Sequence, residues 1–246
     1  MDGGESGPGA LLRHLPEKVL ELEGRGALTR TFRRLDPERQ MEVLVAVLAE
    51  AASTGPREVN VRAIARRAGV AVGSLYQYFG DRRSMVAVAA EIASGLLVAD
   101  LLQYRDEVAA LPLREALVAY VCAGVEWSQS QAELLRFFAG AAYQGDVWLG
   151  GRIVAPVVDA LLGMVRAILV AARARGEIAS GVDLETAARY VHALTLTLGD
   201  SYLLPHLDVY FRQLDGATLA ERATTLAEFV TIALQSGETD ASSGEE

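Results

Sequence analysis

The side chains best suited to chemistry lie in one short stretch, VRAIARRAGVAVGSLYQYFGDRR, residues 61–83. It holds five arginines together with the hydroxyl groups of Ser74, Tyr76 and Tyr78 and the amide of Gln77. Guanidinium groups pair with phosphates, and hydroxyl and amide groups can bond either phosphates or the edges of bases. The combination therefore indicates nucleic-acid binding.

The distribution of charge is compatible with this interpretation. The chain has 246 residues and a formal net charge of −9, yet residues 27–83 contain ten arginines against six acids. That segment is therefore +4 and the remainder −13, as in a basic recognition module joined to an acidic partner domain. Arginines that only solvate the outer faces of helices would give the same asymmetry, so charge alone does not separate the two.

The elements that would position these side chains are helices. Asp36-Pro37-Glu38 predicts a helix start, followed by a buried stripe of Met41, Leu44, Val45, Leu48 and Ala52 and a stop at STGPRE. Asn60 is placed to cap a second helix that buries Val61, Ile64, Ala65 and Ala68. Gly69 permits a tight turn into a third helix, about 72–79, that buries Leu75 and Phe79. Asp81 should cap a fourth helix that continues to about Gln103.

Two short helices joined by a tight glycine turn form a helix-turn-helix. The outer side of the second helix would present Ser74, Tyr76, Gln77 and Tyr78, and Gly73 would let a phosphate approach the backbone. Gln77 is the strongest candidate for base reading, because its amide can pair with adenine in a bidentate way. Arg62 and Arg82, which begin the flanking helices, would lie on either side of the groove.

The same residues are very similar to the DNA-binding signature of the tetracycline-repressor (TetR) family of bacterial regulators. The shared features are A-x-x-A-G-V at 65–70, G-S-L-Y-x-Y-F at 73–79 and a basic residue at Arg82. The resemblance implies DNA contacts by Arg62, Gly73, Ser74, Tyr76, Gln77, Tyr78 and Arg82. Two departures are Ala71, where a capping serine is common, and a longer segment before Asp36. Its Arg30, Arg33 and Arg34 could reach DNA or form only a solvated lead-in.

Beyond residue 103 the pattern predicts five further helices, at 113–128, 132–143, 154–175, 184–203 and 218–235. The resemblance implies that 154–175 and 184–203 pack against their copies in a homodimer. The candidate interface residues are Val157, Leu161, Val165, Ile168, Leu194 and Leu198. A core face within one chain would explain these apolar residues equally well.

A ligand site is also implied by the resemblance, and a pocket lined by aromatics with a few polar groups would suit a small hydrophobic effector. The candidate residues are Cys122, Glu126, Trp127, Phe137, Phe138, Tyr143, Trp148, His192, Thr195 and Tyr202. Each of them taken singly is more simply explained as an ordinary core residue.

The expected fold is all-α. An N-terminal extension at 1–27, expected to be flexible apart from a short amphipathic turn or two, precedes a three-helix helix-turn-helix domain at 28–83. A connecting helix at 81–103 leads into a helical effector-binding and dimerisation domain at 84–235, and an acidic tail at 236–246 is expected to be disordered. The N-terminus does not resemble a signal peptide, so we expect a cytoplasmic protein with no membrane partner.

The functional expectation is a homodimeric repressor that leaves a palindromic operator in double-stranded DNA when a small effector binds. An activator, or a repressor that needs its ligand, fits the sequence as well. Cys122 is the single cysteine and the three histidines are scattered, so we expect no catalytic residue, metal site or cofactor. A helical interaction module or an enzyme without DNA binding is the alternative of another class.

Overall fold

A computed structural model describes residues 14–130, 132–143 and 150–235, and all regular elements in these ranges are helices. The helices are α1 (Leu15–Gly24), α2 (Arg30–Arg33), α3 (Pro37–Thr54), α4 (Val61–Ala68), α5 (Val72–Phe79), α6 (Arg82–Gln103), α7 (Arg105–Ala110), α8 (Leu113–Ser130), α9 (Ala132–Tyr143), α10 (Ala155–Ala174), α11 (Leu184–Leu203), α12 (Asp208–Phe211) and α13 (Leu219–Gln235). A π-helical turn, Gly150–Val154, precedes α10, and a 3₁₀ turn, Pro205–Leu207, precedes α12. The prediction of an all-α fold is confirmed.

The described residues divide into two units. The N-terminal unit comprises the residues up to Asp100 together with Ser128–Val158, and the C-terminal unit comprises Leu101–Trp127 and the residues from Asp159 onwards. Most of α6 therefore lies with the N-terminal unit, whereas the division expected from the sequence cut this helix at residue 83.

The helix-turn-helix forms with the local signals that predicted it. The Asp36 carboxylate accepts a hydrogen bond from the Arg39 amide at 2.8 Å, and the Asn60 side chain accepts from the amides of Arg62 and Ala63. Gly69 has φ +62°, the left-handed conformation that a residue with a Cβ rarely adopts. These predictions are confirmed, although Val45 is 39% exposed rather than buried in the stripe of α3.

Residues 15–24 correct the expectation of a flexible extension, because they form helix α1. Leu15, Val19 and Leu22 recur at three- and four-residue spacing, and each is at most 1% exposed. Residues 1–13 and the predicted acidic tail, 236–246, lie outside the described residues.

Helix α1 lies against α6 at a glycine. A Cβ added at Gly95 would come within 3.0 Å of the Lys18 side chain, so the absence of a side chain there permits the close approach. One helical turn before Gly95, Glu91 accepts a 2.6 Å hydrogen bond from the Arg25 guanidinium. These two contacts therefore hold α1 against α6, the helix that follows the helix-turn-helix.

An aromatic cluster joins the N-terminal segment to the last residues of α5. Phe32 is fully buried, and its ring centroid lies 5.6 Å from that of Tyr78 and 5.3 Å from that of Phe79. Gln40, which is also buried, donates from its amide nitrogen to the carbonyl oxygens of Phe32, Arg33 and Leu35 at 3.1–3.2 Å. These bonds fix the backbone that carries the Phe32 ring.

The C-terminal unit is built on a core shared by α8, α10, α11 and α13. The predicted helix bounds for this part of the chain agree with the structure to within about two residues. Val165, Ile168 and Leu198 are at most 3% exposed, because they pack inside the chain. The prediction that these three residues face a second copy is therefore wrong, whereas Leu194 is 40% exposed.

A buried polar group lies on α11 of this unit. His192 is 8% exposed, and its Nδ1 atom has no hydrogen-bond partner among the described residues. Burial holds the pKa of His192 below its ordinary value of 6.5, so the imidazole is neutral at pH 7. The neighbouring Thr195 hydroxyl donates to the His192 carbonyl oxygen at 3.0 Å.

Two helical stretches, Arg82–Ala110 and Gly150–Ala174, are long and apolar enough to cross a membrane by length and composition alone. Core helices of soluble proteins pass the same test, and 61% of the most apolar window of the first stretch is buried inside the chain.

We expect Phe32→Ala to lower the free energy of unfolding by about 3–5 kcal/mol, because it removes a buried ring and leaves a cavity beside Tyr78 and Phe79. Urea unfolding followed by circular dichroism measures this change. Leu20→Ala is the matched control, since Leu20 is 59% exposed on α1 and its truncation should cost less than about 0.5 kcal/mol. Equal losses in both variants would contradict the assignment of the aromatic cluster as a structural anchor.

We expect the stability of the protein to fall as the pH drops below about 6.5, because the unfolded chain protonates His192 there while the folded chain resists protonation. The folded pKa is depressed, so the stabilisation is complete above the unfolded pKa. Unfolding at a series of pH values should show a weaker acid dependence in His192→Gln than in the wild type. His206→Gln, which alters an exposed histidine, should retain the wild-type profile.

Candidate nucleic-acid interface

The turn between α4 and α5 is held by a side chain that the sequence analysis did not single out. The Arg39 guanidinium donates to the Gly69 carbonyl oxygen at 2.7 Å and to the Glu42 carboxylate at 2.5 Å. The amide of Val70 closes the turn by donating to the Ala65 carbonyl oxygen at 3.0 Å. A positively charged side chain on α3 therefore fixes the entry to α5, the recognition helix.

The amino end of the recognition helix has no side-chain cap. Ala71 occupies the N-cap position with extended backbone angles, and the Ser74 amide donates to its carbonyl oxygen. The free amides at this end carry the positive pole of the helix and remain available to an anion. Ala71 therefore lies where the sequence analysis expected it to lie, without a capping bond.

The outer surface of the recognition helix carries most of the predicted side chains. Tyr76 is 45% exposed, Gly73 and Gln77 are exposed, and Ser74 is half-buried. These residues fall on one side of a helix of eight residues, opposite the buried Leu75 and Phe79. Hydroxyl and amide groups on this side can bond phosphates or base edges.

Tyr78 corrects the prediction that it projects from the outer side. It is 7% exposed, and its ring packs edge-on against the rings of Phe32 and Phe79. The sequence spacing placed it two residues from Tyr76, which on a helix is nearly the opposite face. The aromatic partner Phe32 then determines which of the two tyrosines is buried.

Thr29 holds the carboxyl end of the recognition helix. Its hydroxyl donates to the Gln77 carbonyl oxygen at 2.8 Å, and its amide donates to the Tyr78 carbonyl oxygen at 3.2 Å. Carbonyl groups in the last turn of a helix lack partners within the helix, so Thr29 satisfies two of them. No sequence signal identifies this role, because Thr29 lies 48 residues before Gln77.

Arginines border the recognition helix on both sides. Arg62 is exposed in the first turn of α4, and Arg82 is exposed in the first turn of α6. The Asp81 carboxylate caps α6 by accepting from the Ser84 amide at 2.8 Å and from its hydroxyl at 3.0 Å, and these hydrogen bonds lower the pKa of Asp81. The acid nearest to Arg82 in sequence, Asp81, is thus hydrogen-bonded to the first turn of α6.

The arginines of the N-terminal segment differ in their surroundings. Arg33 forms an ion pair with Glu23 of α1, so an acid within the N-terminal segment compensates its charge. Arg30 and Arg34 are exposed. Of the three candidates for additional DNA contacts, Arg30 and Arg34 are the two that form no ion pair with an acid among the described residues.

The predicted ligand residues are divided between the two units. Phe137, Phe138 and Tyr143 belong to α9 of the N-terminal unit, where Phe137 is 2% exposed and stacks edge-on with Phe138, and Tyr143 is 55% exposed. Trp148 lies outside the described residues. The remaining six lie in the C-terminal unit, on α8 and α11.

Within the C-terminal unit, the structure brings one polar group of residues together. The Tyr120 and Thr195 hydroxyl groups share a hydrogen bond, and burial raises the pKa of Tyr120. Burial and the negative charge of Glu126 raise the pKa of the Cys122 thiol, so the thiol is protonated at pH 7. The Tyr202 hydroxyl donates to the Ala217 carbonyl oxygen at 2.7 Å, which gives it a structural role. Tyr120 was missed by the sequence analysis because its apolar neighbours made it resemble a core aromatic.

Comparison with known proteins agrees with the geometry of the N-terminal unit. Residues 43–89 match the family model for the N-terminal region of bacterial regulatory proteins of the tetR family. This range spans most of α3, all of α4 and α5, and the first turns of α6. No curated protein matches the sequence.

Solved structures share the fold over most of the chain. The transcriptional regulator FadR of Bacillus subtilis, in complex with stearoyl-CoA, is 19% identical, with a TM-score of 0.57 over 81% of this chain and 99% of that one. The fatty acid degradation regulator FadR of Bacillus halodurans is 17% identical, with a TM-score of 0.60 over 80% and 96%. A putative transcriptional regulator from Pseudomonas aeruginosa PAO1 is 24% identical, with a TM-score of 0.60 over 84% and 94%.

These similarities agree with the sequence motif at 65–79 and with the helix-turn-helix that it forms. The match to the family model covers α4, the recognition helix and the first turns of α6, and the structural likeness extends the same fold through the C-terminal helices. Residues 43–89 therefore form a helix-turn-helix region that matches the tetR family model, and the chain shares the fold of solved transcriptional regulators.

Proposed function

We propose that the protein is a homodimeric repressor that binds a palindromic DNA operator through α5 and leaves it when a small hydrophobic effector binds. The observation that carries the proposal is the fixed orientation of the recognition helix. It exposes Tyr76 and Gln77 while Thr29, Phe32 and Arg39 fix its two ends. A helix held in this way presents its outer groups in one orientation, which sequence-specific contacts require.

In the proposed complex, the recognition helix enters the major groove. Gln77 reads a base edge, and Ser74 and Tyr76 bond phosphates or bases. Arg62 and Arg82 bind phosphates on either side, and Gly73 lets the DNA backbone come close. The Tyr78 ring is buried, so we assign it to the support of the helix rather than to a direct contact with DNA.

Dimerisation is proposed on α11 and α13 rather than on α10. The two helices pack against each other, and both expose large apolar side chains. Tyr190 is 68% and Leu194 40% exposed on α11, and Phe229 is 64% and Ile232 65% exposed on α13. Apolar side chains of this size on adjacent helices favour burial against a second copy, and a two-fold pair of recognition helices would read two half-sites.

The effector is proposed to act through α6. This helix begins three residues after the recognition helix ends, so a displacement of α6 would move the DNA-reading head. An effector that binds the displaced state more tightly would shift the population away from DNA. The neutral His192 with its unpartnered Nδ1, together with Tyr120 and Thr195, suits an uncharged polar group on a mostly apolar ligand.

A long acyl chain is the effector class that a structural neighbour suggests, since the FadR of Bacillus subtilis holds stearoyl-CoA. We propose the same class for this chain. As a regulator of transcription, the protein would act in the cytoplasm, where the DNA lies.

We expect selection from a random DNA pool to enrich a palindrome. Against that sequence, Tyr76→Ala should weaken binding roughly tenfold or more, because it removes a direct contact in the groove. Arg82→Ala should weaken binding to all sequences and lower the salt dependence by about one phosphate contact. Fluorescence anisotropy over a range of salt concentrations measures both effects.

Tyr210→Ala is the matched control for Tyr76→Ala, because Tyr210 is 81% exposed on α12 of the other unit. Its binding should equal that of the wild type. If the selection enriches no sequence, either with the protein alone or with cell extract added, the DNA-binding proposal is wrong. Stearoyl-CoA added to the same assay should release the DNA, and unchanged binding across acyl chain lengths would contradict the effector class.

We expect Phe229→Arg to raise the dissociation constant of the dimer about 30-fold or more, because a charge replaces an apolar side chain at the proposed interface. Sedimentation equilibrium measures the change. Leu20→Arg introduces the same charge at a side chain that is 59% exposed on α1, and it should leave the dimer intact. A dimer that is equally stable in both variants would place the interface elsewhere.

A further inference from the structure

Helix α2 lies at the carboxyl end of the recognition helix. The hydroxyl of its N-cap residue, Thr29, donates to the Gln77 carbonyl oxygen at 2.8 Å. Phe32 of α2 packs its ring against that of Tyr78. Arg30 directly follows Thr29, so its Cα atom lies about 3.8 Å from the Cα atom of a residue that is bonded to the recognition helix. The first arginine of α2 therefore begins beside the backbone of the proposed base-reading residue.

The backbone that carries the arginines of α2 is held from two directions. The Thr29 hydroxyl accepts from the Phe32 amide and so caps the short helix. The buried amide of Gln40 donates to the carbonyl oxygens of Phe32, Arg33 and Leu35. A flexible lead-in would present its charges in many directions, whereas this segment presents them from a fixed backbone. A segment that is ordered before binding also loses less conformational entropy when it meets a partner.

Arg30 and Arg34 share one side of α2. Arg34 has the helical backbone angles φ −79° and ψ −10°, so it follows Arg30 by about one helical turn, and the buried Phe32 falls on the other side. Both arginine side chains are exposed. Like charges four residues apart on a helix repel each other, and an anion beside them lowers this repulsion.

The third arginine of the segment differs from these two in its partner. Arg33 forms an ion pair with Glu23 of α1, whereas Arg30 and Arg34 form no ion pair with an acid among the described residues. The acid nearest to Arg34 in sequence is Asp36, whose carboxylate accepts from a backbone amide in the first turn of α3. Two of the three charges are therefore available to an anion outside the chain.

The anion that suits this position is a phosphate of the DNA backbone. A guanidinium group matches two phosphate oxygens with its planar fork of donors. A helix in the major groove lies between the two phosphate backbones that border the groove, so groups at the end of the helix meet phosphates rather than base edges. Arginines beside the carboxyl end of the recognition helix are placed for such contacts.

We propose that Arg30 and Arg34 each bind one backbone phosphate of the operator at the carboxyl end of the recognition helix, whereas Arg33 takes no part. The proposal extends the DNA interface from the helix-turn-helix to α2. It rests on the proposed function, because it assumes that the recognition helix binds DNA. The two arginines give affinity and position but no base preference, since every nucleotide offers the same phosphate.

The test uses the full-length protein and the operator obtained by selection, with Arg30→Ala, Arg34→Ala and the double variant. Each single variant should bind the operator about fivefold more weakly at low salt. The slope of log K against log salt should fall by about 0.9 in each single variant and by about 1.8 in the double variant, because two separate phosphates are lost. The enriched sequence should remain the same.

Arg33→Ala is the matched control, because it removes the same charge from the same segment at a side chain that is paired with Glu23. It should leave both affinity and slope unchanged. Arg34→Lys retains the charge without the planar fork, so it should keep the wild-type slope and only part of the affinity. Arg30 and Arg34 are exposed, and equal melting temperatures of the variants would verify that the fold is intact.

The outcomes separate this proposal from the function on which it rests. If Tyr76→Ala loses DNA binding while Arg30→Ala and Arg34→Ala match the wild type in affinity and slope, the phosphate contacts are overturned and the function stands. If the wild type selects no DNA, both fail.

Two further outcomes would overturn the phosphate contacts alone. An equal loss of slope in Arg33→Ala would mean that the total charge of the segment acts at long range rather than through two contacts. Loss of a preference for A·T pairs beside the half-sites in Arg30→Ala or Arg34→Ala would assign the side chain to the minor groove instead of to a phosphate.

Discussion

The packing of Phe32 against Tyr78 and Phe79 is the contact on which the N-terminal unit depends. It joins a segment that precedes the helix-turn-helix to the last turn of the recognition helix. The hydrogen bonds of Thr29 to two carbonyl groups and the bonds of Gln40 to three others align the same segments. Without the Phe32 ring, no buried apolar side chain would shield these hydrogen bonds from water.

The orientation of the recognition helix is therefore determined at both ends from outside the helix-turn-helix. Arg39 of α3 holds the turn at its amino end, and Thr29 holds its carboxyl end. The outer residues Tyr76 and Gln77 take part in none of these bonds through their side chains. Substitution of these two side chains should consequently leave the support of the helix undisturbed.

Local features of this chain could be predicted from its sequence, and features that depend on distant partners could not. Asp36, Asn60 and Asp81 cap helices through amides within three residues, so short-range patterns identified them. The role of Thr29 depends on a partner 48 residues away, and α1 is ordered against a glycine of α6. Amphipathic spacing indicated a helical turn there but gave no reason for its burial.

The apolar helices of the C-terminal unit also show what the sequence pattern could not predict. Helix α10 is apolar over much of its surface, so its periodicity could not separate residues that face the core from residues that face a partner. Burial of Val165 and Ile168 assigns them to the core, while α11 and α13 expose their apolar groups. The candidate ligand residues are divided between two units for a related reason, since sequence proximity says little about which helices meet.

The contact of α1 with α6 has a consequence for how the protein is made. Helix α1 leaves the ribosome well before α6, since Glu91, the partner of Arg25, follows Arg25 by 66 residues. Until α6 has emerged, α1 lacks the hydrogen bond of Arg25 to Glu91 and the contact of Lys18 with Gly95, and a nascent chain with an incompletely packed apolar helix is prone to bind chaperones or other chains. A chain interrupted before α6 would therefore emerge without the contacts that hold this helix to the DNA-reading head.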